Sequence, residues 1–163
     1  MTDILQKCQL RRAQSDDAGA LSSLAFRSKA SWGYDIEFMK HCREELTYRP
    51  DQIDSSQYRV EVCDIEGEAV AFYALRLLDN GTAELEALFV RPEFTRNGIG
   101  SLLIEDMTAQ ARLLGVQTVT IQGDPNAEDF YLAIGAVPGG YRKSESIPGR
   151  YLPVFRLSIE KGR

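Results

Sequence analysis

Apolar positions recur along this chain in two periods, one near four residues and one of two, and the changes between them mark the elements. Residues 9–13 alternate weakly and predict a short first strand. Leu21, Leu24 and Ala25 then fall at helical spacing behind Ser15-Asp16-Asp17. Ser15 is the expected cap, and the two acids suit the positive end of the helix dipole. Ser31-Trp32-Gly33-Tyr34-Asp35 interrupts this helix, and a second is expected from about Asp35 to Leu46, with Pro50 ending the region. Two strand-like runs, Tyr58–Asp64 and Ala69–Leu78, flank Glu66-Gly67 and predict an antiparallel hairpin. Asn80-Gly81 is a second turn signal and opens a third strand, Thr82–Val90. Pro92 ends it, having no N–H for a ladder. Ile99, Leu102, Leu103, Met107 and Ala111 predict a helix from Gly98, closed by Gly115. Val116–Gln122 predicts a strand, Asp124–Ile134 a short helix with Gly135 after it, and 141–146 and 151–159 two final strands. The sum is a mixed α/β domain with one central sheet.

Composition narrows the class. At 163 residues the chain fits one domain, expected over 1–163. Its 44% hydrophobic and 26% charged residues are ordinary for a globular protein and exclude a disordered, collagen-like or coiled-coil chain. No apolar run approaches the roughly 18–20 residues of a membrane span. Met1–Lys7 holds no signal-peptide stretch, so a cytoplasmic protein without membrane partners is expected. Three cysteines, Cys8, Cys42 and Cys63, without close spacing predict free thiols, and a lone His41 argues against a histidine metal cluster or a Ser-His-Asp triad. No metal is expected.

The net charge of −5 speaks against a nucleic-acid surface. From Gly139 onward six basic residues face two acidic ones, a net +4 that leaves −9 for residues 1–138. An acidic body attracts cations, and a basic tail attracts anions.

The informative junction is strand, then Thr95-Arg96-Asn97-Gly98-Ile99-Gly100-Ser101, then helix. Two glycines at a helix N-terminus let the backbone approach a ligand, and the free first-turn N–H groups favour phosphate oxygens. By itself such a pair is equally a tight connection. A Walker A loop requires Gly-Lys-Ser/Thr, whereas Ser101-Leu102 follows Gly100 here. A dinucleotide fingerprint requires a third glycine where Leu103 stands.

Val90-Arg91-Pro92 followed by Gly98-Ile99-Gly100-Ser101-Leu102-Leu103 resembles the acyl-CoA signature of the GNAT superfamily of N-acetyltransferases. Asp124-Pro125-Asn126-Ala127-Glu128-Asp129-Phe130-Tyr131, with Ile134-Gly135-Ala136, resembles that family's following motif, and Ser146–Arg150 with Leu152-Pro153 is similar to many bacterial members. The resemblance is strongest over 82–136 and follows the whole chain in element order. Two departures stand out. Thr95 occupies the usual Gln or Arg position, with Arg96 one place later. Asp124 occupies the usual Asn position, with Asn126 two places on.

The resemblance implies a GNAT-like acyl-CoA N-acyltransferase fold with a mostly antiparallel central sheet flanked by helices. It implies transfer of an acetyl group from acetyl-CoA to a primary amine in a ternary complex. The backbone of Leu88, Phe89 and Val90 would pair with pantetheine, and Thr95–Ser101 with Asn126 would hold the rest of the cofactor. Tyr131 would touch the cofactor and protonate its departing thiolate, since a neutral hydroxyl tolerates an apolar setting. The base that deprotonates the amine would be Glu84 or Glu86, which share a face if the strand is regular. Structurally, Tyr131 is equally a packed aromatic and the glutamates a solvated strand face. Trp32 and Tyr34, with Asp35 and His41 as further candidates, would line the pocket of a small-molecule amine. A non-catalytic acyl-CoA sensor or interaction module is the alternative, and a homodimer is expected through the final strands.

Overall fold

The computed structural model describes residues 3–161. Met1 and Thr2 of the N-terminal stretch, and Arg163 of the basic tail, lie outside the described residues. The elements are α1 (Asp3–Lys7), β1 (Gln9–Arg12), α2 (Ala18–Ala30), α3 (Ile36–Cys42), α4 (Pro50–Asp54), β2 (Tyr58–Ile65), β3 (Glu68–Leu77), β4 (Thr82–Val90), α5 (Ile99–Leu113), β5 (Thr118–Gln122), α6 (Glu128–Ala133), β6 (Val137–Lys143) and β7 (Tyr151–Ser158). One seven-stranded sheet runs β1-β2-β3-β4-β5-β7-β6. Every neighbouring pair is antiparallel except β4 with β5. That parallel pair requires a crossover, which α5 supplies.

Each face of the sheet buries its own core. On one side Tyr73, Leu75, Leu103, Met107, Ile121 and Phe155 pack between the strands and α5. On the other, Leu21, Leu24, Met39, Val60, Val62 and Phe72 pack under α2 and α3. Leu103, Met107 and Ala111 on one stripe of α5 are fully buried, the burial its 3–4 residue spacing predicts.

Several boundaries differ from the sequence pattern. Ser15 does not cap α2: residues 15–17 form a 3₁₀ turn, and the Asp17 carboxylate accepts from Gln14 N–H at 2.7 Å. Pro50 opens helix α4 rather than only closing a region, because its missing N–H is harmless at the first helical position. The helix expected to Leu46 ends at Cys42, and the short helix α1 carried no periodicity to reveal it. The stretch 124–134 divides into a 3₁₀ turn, Pro125–Ala127, and α6. The strand expected at 141–146 runs from Val137 to Lys143. It lies at the sheet edge with every residue exposed, so burial imposes no alternation there.

Strand β4 is irregular on both of its edges. Its pairing with β5 spans only Thr82–Leu85, against Thr118–Ile121. Beyond it, β5 leans toward β7, where Gly123 N–H donates to Pro153 O at 3.0 Å. The two strands therefore part, and the backbone from Glu86 to Val90 has no strand on that side. The register with β3 also slips: Ala87 faces Ala74 and Leu85 faces Leu75, so Glu86 is an extra residue. This bulge reverses the faces of the strand. Ala83 and Leu85 face the α5 core, whereas Ala87 and Phe89 face the α2 core.

Candidate active site

The parting of β4 and β5 opens a cleft of about 730 Å³. One wall is β4 from Glu84 to Val90, and the opposite wall is Gln122, Gly123 and Asp124. Leu88, Phe89 and Val90 turn their side chains into the two cores, while their backbone edge away from β3 faces the gap. That edge is an unpaired ladder, suited to an extended ligand carrying amides.

At one end of the cleft stands the N-terminus of α5. Arg96 and Gly98 both adopt positive φ, 65° and 83°, which winds the loop so that the helix opens toward the cleft. Asn97 secures the loop from within by donating to Phe94 O and Thr95 O at 3.2 and 3.1 Å, and it does not line the cleft. Thr95, Arg96, Gly98, Ile99, Gly100 and Ser101 do line it. The Ile99 side chain is buried in the core, so only its backbone is offered. Arg96 is exposed and makes no ion pair among the described residues. Free first-turn N–H groups beside an unpaired guanidinium suit an anion.

Tyr131 sits at the centre. Its ring is buried against Phe130 and Phe155, with centroids 5.3 and 5.5 Å away. A Cβ at Gly123 would meet that ring at 3.0 Å, so the strand end needs glycine for Tyr131 to lie there. Burial pushes the Tyr131 hydroxyl well above its ordinary range, and the charge of Asp124 adds to this. The side chain stays protonated and able to donate.

The glutamates occupy the other half of the cleft in different states. Glu84 Oε2 accepts from Arg76 Nη2 at 3.1 Å and Glu84 Oε1 from Arg142 Nη1 at 2.7 Å. Glu86 Oε1 lies 2.8 Å from Arg76 Nε. Burial raises the Glu86 carboxyl, Arg76 opposes the rise, and Glu84 adds to it. The strand carries a bulge at Glu86, and Arg76 meets both carboxylates.

Trp32 after α2, Glu45, Leu46 and Tyr48 between α3 and α4, and Gln52 on α4 close the cleft. Trp32 is 51% exposed at the rim. Tyr34 does not line the cleft. Its ring stacks on Phe38 at 4.1 Å, and its hydroxyl donates to Asp124 and accepts from Arg150 Nη2 at 2.8 Å and Asn126 Nδ2 at 3.1 Å. Asn126 lines the cleft, but its amide is also engaged by Asp124 at 2.8 Å. Asp35 caps α3 by accepting from Phe38 N–H at 2.8 Å, and His41 is exposed on α3. Tyr48, Gln52, Arg76 and Arg142 carry no signal in the sequence, because only the folded chain brings them together. The basic tail, expected to attract anions, instead turns Arg142 and Arg150 to Glu84 and Asp124 of this chain.

A parallel pair that parts, with a glycine-containing loop and a helix N-terminus at its opening, is the arrangement that the resemblance to the GNAT family implies. The model of the acetyltransferase (GNAT) family matches residues 25–136, and the chain belongs to that family. Its fold is similar to the PaiA N-acetyltransferase of Thermoplasma acidophilum, solved in complex with coenzyme A. That match has 17% identity and a TM-score of 0.76, covering 93% of this chain and 98% of that one. It is similar to the ribosomal-protein-S18-alanine N-acetyltransferase of Escherichia coli, with 18% identity, a TM-score of 0.72 and 96% of each chain covered. An aminoglycoside 6'-N-acetyltransferase complexed with coenzyme A matches at 14% identity and a TM-score of 0.73, over 95% of this chain and 99% of that one. Comparison with curated protein sequences gives no match. Among the described residues no helix is long and apolar enough to cross a membrane.

Proposed function

We propose that this protein moves an acetyl group from acetyl-CoA to a primary amine, both bound at once. The observation that carries this is the gap between β4 and β5, with the α5 N-terminus at one end and two glutamates at the other. The residues fit the cofactor. The unpaired β4 edge at Leu88–Val90 suits pantetheine amides, and the N–H groups of Gly98–Ser101 with Arg96 suit the pyrophosphate.

When bound, acetyl-CoA supplies an activated acyl carbonyl and a thiol leaving group. The chain's residues then have two proton tasks. Glu86 takes a proton from the incoming ammonium, directly or through water, because its raised carboxyl is closer in affinity to that task. Glu84 is the weaker candidate, since guanidinium groups engage both its oxygens. Tyr131 donates a proton to the departing thiolate. Trp32 lines the amine's entrance. Three free thiols fit a reducing cytoplasmic setting, and the exposed edge of β6 fits pairing with a second copy.

Thiol release tests this reading. Purified protein is given acetyl-CoA with an alkyl monoamine, a diamine, an amino acid, an aminoglycoside and an alanine-terminated peptide. Amine-dependent release with at least one acceptor, lost in Glu86→Gln, supports the transferase. Acetyl-CoA binding without release from any would favour a sensor.

A further inference from the structure

Arg76 stands on β3 where β4 loses its regular pairing. Its cross-strand partner is Glu84, and the bulge brings Glu86 to the same guanidinium. The two contacts are unequal. Nη2 donates to Glu84 Oε2 at 3.1 Å, and Arg142 holds the other Glu84 oxygen from β6. Arg76 Nε lies 2.8 Å from Glu86 Oε1, but its N–H is buried and not aimed at an acceptor. The contact is therefore an ion pair without a formed hydrogen bond, and it leaves Glu86 Oε2 outside the clasp.

We propose that Arg76 is a positioning residue that sorts the two glutamates. It anchors Glu84 in place and steers Glu86 into the cleft as the proton acceptor. The proposal rests on the reading of Glu86 as the base. It extends that reading, because it names what makes one of two adjacent carboxylates the base.

The groups facing Glu86 are Arg76 from β3, Glu84 from β4, Tyr58 from β2, Tyr48 from the segment between α3 and α4, and Glu145 from the β6–β7 connection. Arg142 acts on it through Glu84. Removing the Arg76 cation disfavours the charged form of Glu86, and removing the Glu84 anion favours it. The two changes therefore move Glu86 in opposite directions, which a loss of packing does not do.

The test is an NMR titration of the Glu86 carboxyl in protein carrying ¹³C-labelled glutamate, needing neither cofactor nor amine. The pH profile of kcat/KM with acetyl-CoA and the best amine of the panel is read beside it. Arg76→Gln is expected to raise the Glu86 midpoint by about one pH unit. Glu84→Gln lowers it, and Arg76→Lys keeps it near the wild-type value. The acid limb of the profile moves with the carboxyl. Should Arg76→Gln fail to fold, the contrast between Arg76→Lys, which holds the midpoint, and Glu84→Gln, which lowers it, still decides. Equal midpoints in all variants overturn the clasp, whereas a moving midpoint with a fixed acid limb keeps the clasp and overturns Glu86 as the base. If Glu86→Gln keeps full turnover, the base assignment falls, and the titration still judges Arg76.

Discussion

The Tyr34 hydroxyl lies 2.8 Å from Asp124 Oδ2 and 3.0 Å from Oδ1, ninety positions away in the chain. This joins the loop between α2 and α3 to the segment leading into α6, across the mouth of the cleft. Lys29 and Arg150 each stand 3.6 Å from Asp124 Oδ2 and complete the junction. Tyr34→Phe removes the neutral link and leaves the charges. Urea unfolding is expected to show a loss of about 1–2 kcal/mol, with the acetyl-CoA site kept.

Asp124 also makes stability depend on pH. Burial alone would raise its carboxyl, but the Asn126 N–H, the Tyr34 hydroxyl and Lys29 hold it below the usual 3.8. A carboxyl depressed in the folded state contributes stability above its unfolded value and loses it as pH falls through the folded value. Wild type is thus expected to exceed Asp124→Asn in stability at pH 7. The difference should narrow as pH falls below about 4. Urea titrations at a series of pH values read it directly, and a constant difference would remove Asp124 from this role.

The glycines of the loop act in two ways. Gly98 has a φ of 83°, and an added Cβ would also meet Leu5 Cδ1 at 3.2 Å, so Gly98→Ala is expected to cost about 1 kcal/mol or more. Gly100 is helical, but its Cβ would press the Phe130 ring at 3.2 Å beside Tyr131. Gly100→Ala is expected to weaken acetyl-CoA binding with little loss of thermal stability of the free protein. The two effects separate in melts with and without the cofactor.

Tyr131→Phe leaves the packing with Phe155 and removes only the hydroxyl proposed to protonate the thiolate. Turnover should fall about 10²–10⁴-fold while the thermal shift with acetyl-CoA persists. Because the hydroxyl is held above its ordinary range, Tyr131 should not set an alkaline limb below about pH 10. Steady-state rates from pH 6 to 10 test both statements.

Much of the fold is legible in the sequence because burial writes periodicity into it. The stripe on α5 and the turns at Glu66-Gly67 and Asn80-Gly81 each place an element. The edge strand β6 leaves no such mark, since no face of it is buried. The end proposed for the cofactor is readable from Gly98 and Gly100, because the positive φ at Gly98 and the close approach at Gly100 favour glycine. The acceptor end is not. A bulge at Glu86 is a property of the pairing between β3 and β4, and Arg142 reaches Glu84 only after the chain returns through β6. Tyr34 reads as a substrate contact because an aromatic with a polar tip suits a pocket wall. Its hydroxyl instead serves Asp124, the residue standing where the related motif has asparagine.

Thermal melting of the purified protein with acetyl-CoA, and with ATP and NAD in parallel, shows whether the cleft takes the cofactor. At about 100 times its dissociation constant the cofactor should add roughly 2.7 kcal/mol, a rise in Tm of roughly 5–10 °C for a chain of this size. That rise is expected with acetyl-CoA alone. No rise, or an equal rise with NAD, would contradict an acyl-CoA site between β4 and β5.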